Sequence, residues 1–163
     1  MKFNSIKYGA LAGILCGAMM TTAFYAGVST RNNRYLTLGF IILTFASSFV
    51  TIYKEKKDKD GEIDFKRSLK IGISAALLCA IVFSGFTFFY YTVMNPNYAT
   101  KYLVDIELSL KQAGKAGAEL QNEMNLWRED MSPKNQTTKT LFGISVISCI
   151  FAAINALILC KKD

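Results

Sequence analysis

The chain has no histidine among its 163 residues. That removes the commonest general base and the commonest metal ligand of proteins. Proline occurs only at Pro96 and Pro133, so little interrupts long helices. The four cysteines, Cys16, Cys79, Cys149 and Cys160, are also uninformative as chemistry. Each lies in an apolar stretch and no two form a C-x-x-C pair, so they read as small buried hydrophobes rather than zinc ligands or disulfide partners. The net charge of +7 arises from 19 basic and 12 acidic residues. It comes with no nucleic-acid-binding motif and no basic stripe interleaved with aromatics, so nucleic acid is not an expected partner.

What the sequence does have is four long apolar blocks without a charge inside, at about residues 8–28, 35–53, 71–94 and 141–160. A soluble domain would spread its apolar residues as amphipathic stripes instead. A helix rises about 1.5 Å per residue, so each block can cross a hydrocarbon core about 30 Å thick. In lipid every backbone polar group must be satisfied internally, which makes helices the open choice. The first block is longer than the apolar part of a secretory signal, usually about 7–15 residues. No small-x-small cleavage site follows it, because aromatics occupy Phe24 and Tyr25. It is expected to remain as a helix. The predicted fold is therefore all-α: residues 1–163 form one polytopic membrane domain with four transmembrane helices.

Four spans place both termini on one side. Eleven of the 19 basic residues fall on that side: Lys2, Lys7, Lys54, Lys56, Lys57, Lys59, Lys66, Arg67, Lys70, Lys161 and Lys162. They are also the denser group next to the apolar blocks. The positive-inside rule thus predicts cytoplasmic termini and a cell-membrane location. Beside an apolar block, such residues also read as contacts for anionic lipid. Tyr8, Tyr35, Tyr53, Tyr90 and Tyr91 suit interfacial anchors near the span ends.

The loop from Lys54 to Arg67 alternates in sign around an Asp60-Gly61 turn and reads as a solvated connection. Asp58, Asp60, Glu62 and Asp64 stand at alternate positions, faintly like a calcium loop. Lys57 and Lys59 interrupt them and no acid closes the far end, so no metal is expected.

Within the spans, Gly9, Gly13 and Gly17 recur every four residues and so share one helix face. Small residues let helices in lipid approach closely. The third span carries a stripe that could match them, Ser68, Gly72, Ala76, Ala80 and Ser84; the fourth carries Ser148, Ala152 and Ala156. These seams serve either packing within the bundle or a homodimer. Asn155 is the one amide within a span, and it reads as a hydrogen bond between helices worth roughly 1 kcal/mol.

Asn95-Pro96-Asn97 ends the third span. The segment at about 97–132 then carries an apolar heptad stripe of Leu103, Ile106, Leu110, Ala113, Gly117, Leu120, Met124, Trp127 and Met131. One straight helix of this length would rise about 52 Å. The stretch at 132–139 could bring the chain back over at most about 28 Å. The break is expected at Gly114 to Gly117, giving helices at about 97–113 and 118–131, folded as an amphipathic hairpin or lying on the membrane. Leu103, Ile106, Leu110, Leu120, Met124 and Trp127 would close on themselves and the span ends, or dock a partner protein.

The order of these features resembles a known family. Asp60-Gly61-Glu62-Ile63-Asp64-Phe65 is followed by Ser68-Leu69-Lys70-Ile71-Gly72 at the entry to the third span. Tyr90-Tyr91-Thr92-Val93-Met94-Asn95-Pro96-Asn97-Tyr98 leaves it, and a glycine-containing break runs from Gly114 to Glu119. Together these resemble the bacterial four-span membrane family filed as domain-of-unknown-function family 4199. The family usually has two glycines before its Ile-x-Phe; here the first is Asp60. The resemblance implies a multi-pass protein of a bacterial inner membrane and carries no activity or functional residues with it.

Three functions remain to weigh. Ion-coupled transport usually leaves an ionisable residue at membrane depth, and the four blocks hold none. A small oligomeric pore for a neutral solute is the alternative that survives. An enzyme would need a nucleophile beside a base, and no such arrangement can be named. The expectation is a non-catalytic accessory or scaffold component without cofactor. Its partners would be the bilayer and either a second copy or another membrane protein.

Overall fold

A computed structural model describes residues 3–28 and 34–160. Lys2, Arg31, Lys161 and Lys162, which enter the charge count above, lie outside the described residues. Every regular element described is helical: α1 (Phe3–Tyr25), α2 (Arg34–Lys57), α3 (Phe65–Phe89), α4 (Tyr98–Gln112), α5 (Gly117–Asp130) and α6 (Pro133–Leu159). A π-helical turn, Tyr90–Met94, continues α3. Four helices, Asn4–Tyr25, Arg34–Lys57, Phe65–Met94 and Pro133–Leu159, are long and apolar enough to cross a membrane.

Local chemistry explains where the helices run past the apolar blocks. α2 continues to Lys57 because Lys54, Lys56 and Lys57 sit in its last turn, where cations meet the negative end of the helix dipole. Asp60 and Gly61 then turn the chain with positive φ, 54° and 87°. α3 begins at Phe65 because the Asp64 carboxylate accepts the backbone N–H of Arg67 at 3.3 Å, capping the first turn.

Two boundaries correct the sequence reading. The fourth helix begins at Pro133 rather than near residue 141, so 132–139 is not an extended return. Proline suits the first turn of a helix, and the Ser132 hydroxyl accepts the N–H of Asn135 at 3.3 Å to cap it. The 54–67 stretch is not a solvated loop throughout. Glu55 lies inside α2 and is only 4% exposed.

The chain forms two compact units, residues 1–86 with 140–163, and residues 87–139. The first is a bundle of α1, α2 and most of α3 and α6. Its polarity is inverted relative to a soluble domain. Thr44, Ser47, Ser48, Thr51, Ser68, Ser84, Ser148 and Asn155 are buried. Large apolar side chains face outward instead, among them Ile42 (63% exposed), Phe142 (66%) and Leu157 (62%). Water would make so much exposed apolar surface costly; hydrocarbon does not. Ring pairs tie the helices: Phe40 of α2 with Phe83 of α3 (centroids 4.9 Å apart) and Phe45 of α2 with Phe151 of α6 (5.4 Å, edge-on).

In the second unit the π-helical turn closes with the Asn95 N–H bonded to the Tyr90 carbonyl at 2.8 Å. A file of rings then runs Tyr90, Tyr91, Tyr98, Tyr102 and Trp127, with successive centroids 5.0–6.3 Å apart. Its last step joins α4 to α5. Between those helices Gly114 and Gly117 take positive φ, 84° and 57°, which side-chain-bearing residues rarely adopt.

Candidate functional site: helix seams and a basic mouth

The glycines of α1 lie against α3 without a gap. A Cβ on Gly9 would stand 2.5 Å from the Ala75 carbonyl oxygen. One on Gly13 would stand 2.7 Å from Val82 Cβ and 2.9 Å from the Cys79 carbonyl oxygen; one on Gly17 would enter the Phe86 ring. The facing ridge is therefore Ala75, Cys79, Val82 and Phe86. The sequence alone offered the stripe through Gly72, Ala76 and Ala80, and the structure turns Gly72 elsewhere. A Cβ on Gly72 would meet Ala152 of α6 and Ile52 of α2, each at 3.0 Å. Ala76 and Ala80 are buried. The two stripes of α3 differ by one residue in register, which periodicity cannot separate without knowing where α1 sits. Cys16 and Cys79 are buried as free thiols; Cys149 and Cys160 are half-buried.

Asn155 is fully buried and ties α6 to α2. Its amide nitrogen donates to the Ser48 hydroxyl at 2.7 Å and the Phe45 carbonyl at 3.1 Å. Replacing Asn155 by leucine should cost about 1 kcal/mol, read as earlier unfolding of the detergent-solubilised protein. Most other buried hydroxyls are similarly occupied. Thr51 donates to Ser47 O (2.6 Å), Ser47 to Tyr8 O of α1 (3.3 Å), and Ser5 to Ile71 O of α3 (3.3 Å). Among the described residues, Ser68 Oγ, Ser84 Oγ, Ser148 Oγ and Asn155 Oδ1 are buried without a hydrogen-bond partner.

In the second unit the larger side chains of the heptad stripe are turned inward. Met124 is buried, and Leu103, Ile106, Leu110, Leu120 and Trp127 are half-buried. Within α4 and α5 the large apolar residues left exposed are Val104, Leu108 and Leu126. Sequence spacing missed them because all three lie off the stripe. Lys115 bonds Glu123 at 2.7 Å and lies 3.4 Å from Glu119. The bond to Glu123 chiefly holds the Lys115 ammonium above the ordinary lysine range. Lys111, 2.6 Å away, draws the Glu107 carboxyl below its usual value. Both residues lie at the surface, half-buried, where solvent screens the charges, so these pairs add little stability.

Within the bundle, Glu55 accepts a hydrogen bond from Arg67 Nη2 at 2.9 Å. Beside this pair is a surface pocket of about 600 Å³ lined by Ser5, Asp64, Lys66, Arg67, Lys70 and Ser74. From sequence alone these basic residues read only as topology and lipid-contact signals. Among the described residues, no three of His, Cys, Asp and Glu come together as a metal site.

A family model described as "Protein of unknown function (DUF4199)" matches residues 7–161. The chain belongs to this family. No curated protein and no solved structure matches it. The DUF4199 chain is thus all-helical, with four helices suited to a bilayer and a bundle whose polar groups point inward.

Proposed function

We propose that this DUF4199 protein is a non-catalytic component of the cell membrane, with both termini cytoplasmic, that acts through contacts with other membrane proteins. One observation carries the reading. Polar side chains within the bundle are largely occupied, by bonds between helices at Asn155, Ser47 and Ser5 and by bonds to their own helix at Thr44, Ser48 and Thr51. The absence of histidine and of charge within the apolar blocks supports it from the sequence. The contact surface we assign is the exposed apolar set Val104, Leu108 and Leu126 rather than the half-buried stripe.

Crosslinking in native membranes followed by mass spectrometry tests this. The full chain should give reproducible crosslinks to a membrane protein through lysines of the α4–α5 segment. Val104→Asp with Leu126→Asp should remove them while leaving the bundle inserted. An unchanged crosslink map would count against the proposal.

The unpartnered buried oxygens of Ser68, Ser84, Ser148 and Asn155 favour a second reading, a small oligomeric pore for a neutral solute. Flux of small neutral solutes into proteoliposomes tests it. No flux above that of empty vesicles would retire it.

A further inference from the structure

The pocket beside α1 and α3 combines charge and apolar surface in the order of a phospholipid. Lys66, Lys70 and Ser74 follow one another at steps of four along α3, and Leu77 and Ile81 continue the same face. Leu77 and Ile81 are exposed, 42% and 58%. The face thus passes from basic, through polar, to exposed apolar within about four helical turns.

The charges at its head are not neutralised locally. Among the described residues neither Lys66 nor Lys70 has an ion-pair partner, whereas Arg67 is engaged by Glu55. The Asp64 carboxylate also lines the pocket, but it accepts the Arg67 backbone N–H. The hydroxyls of Ser5 and Ser74 donate to the carbonyls of Ile71 and Lys70. Recognition of an anion therefore falls to two ammonium groups one turn apart.

We infer that this pocket binds the phosphodiester headgroup of an anionic phospholipid, with Lys66 and Lys70 on the headgroup and an acyl chain along Leu77 and Ile81. The apolar continuation distinguishes this from a site for free phosphate, which would have no use for it. The inference rests on α3 lying in a bilayer and does not depend on the chain having a protein partner.

The test is native mass spectrometry of the full-length detergent-solubilised protein, titrated with phosphatidylglycerol or phosphatidylcholine. The intact protein should retain phosphatidylglycerol in preference to phosphatidylcholine. Lys66→Gln with Lys70→Gln should weaken that retention on the order of tenfold. Lys57→Gln with Lys59→Gln, the same charge change outside the pocket, should leave it intact, as should Lys66→Arg with Lys70→Arg. Millimolar inorganic phosphate should not displace the lipid. Equal retention of the two lipids, equal loss in both glutamine variants, or displacement by phosphate would each overturn the inference. The lipid preference and the phosphate competition are read on the unsubstituted protein, so they decide even if a variant folds poorly. Failure of the protein to remain with membranes under carbonate extraction would instead remove the bilayer premise.

Discussion

Gly9→Ile should drive α1 off α3. Its first side-chain carbon would have to occupy space 2.5 Å from the Ala75 carbonyl oxygen. A flexible side chain could swing aside, but here the obstacle is helix backbone. Overpacking that neighbours can absorb costs roughly 1–3 kcal/mol. A rigid helix can respond only by moving as a whole, which also breaks the Gly13 and Gly17 contacts and the Ser5–Ile71 hydrogen bond. The expected loss is about 3 kcal/mol or more. In detergent that should lower the melting midpoint by roughly 10 °C. Gly85→Ala and Gly143→Ala are the controls, because nothing lies within 4 Å of a Cβ at either position. Both should stay within about 0.5 kcal/mol of the parent. Equal destabilisation by all three would mean that helical glycine itself, not the seam, is what matters.

Arg67→Met should be nearly as damaging. It keeps the length of the side chain and removes the guanidinium that donates to Glu55 at 2.9 Å. Glu55 is 4% exposed, so its charge loses a partner where water reaches it poorly. Breaking a fully buried pair costs about 3–5 kcal/mol. The Arg67 side chain is 35% exposed, which moves the expectation down to about 2 kcal/mol. The companion Glu55→Gln with Arg67→Met should recover much of the loss, because no charge is then stranded. A double variant no more stable than Arg67→Met alone would show that the pair is not the source of the effect.

Residue by residue, legibility in the sequence follows the range of the physics. The four helices could be read because lipid imposes a local rule: about 20 apolar residues in a row. The break between α4 and α5 could be read because Gly114 and Gly117 adopt positive φ, which glycine does without steric cost whatever surrounds it. Asn155 could be picked out because an amide in hydrocarbon needs a partner, though Ser48 and Phe45 as that partner could not be named. The extension of α6 back to Pro133 was missed because its first turn is polar and hydropathy does not register it. Its cap was nevertheless present as Ser132 followed by proline. The pairing of α1 with Ala75 rather than Ala76, and the burial of Glu55, depend on how separate helices dock. The basic pocket was invisible for the same reason. Lys66 and Lys70 form a pocket only once Ser5 of α1 is brought beside them.

The proposed four-span topology puts the Lys54–Arg67 stretch in the cytoplasm and the α4–α5 segment on the opposite side. It is tested most directly by cysteine labelling in intact cells. Cys16, Cys79, Cys149 and Cys160 are first replaced by alanine, and single cysteines are then placed at exposed Lys59 or at half-buried Lys115, which the proposal puts on opposite sides. A membrane-impermeant maleimide should label Lys115→Cys in intact cells and Lys59→Cys only after permeabilisation. Labelling of both positions from the same side would contradict the four-span account.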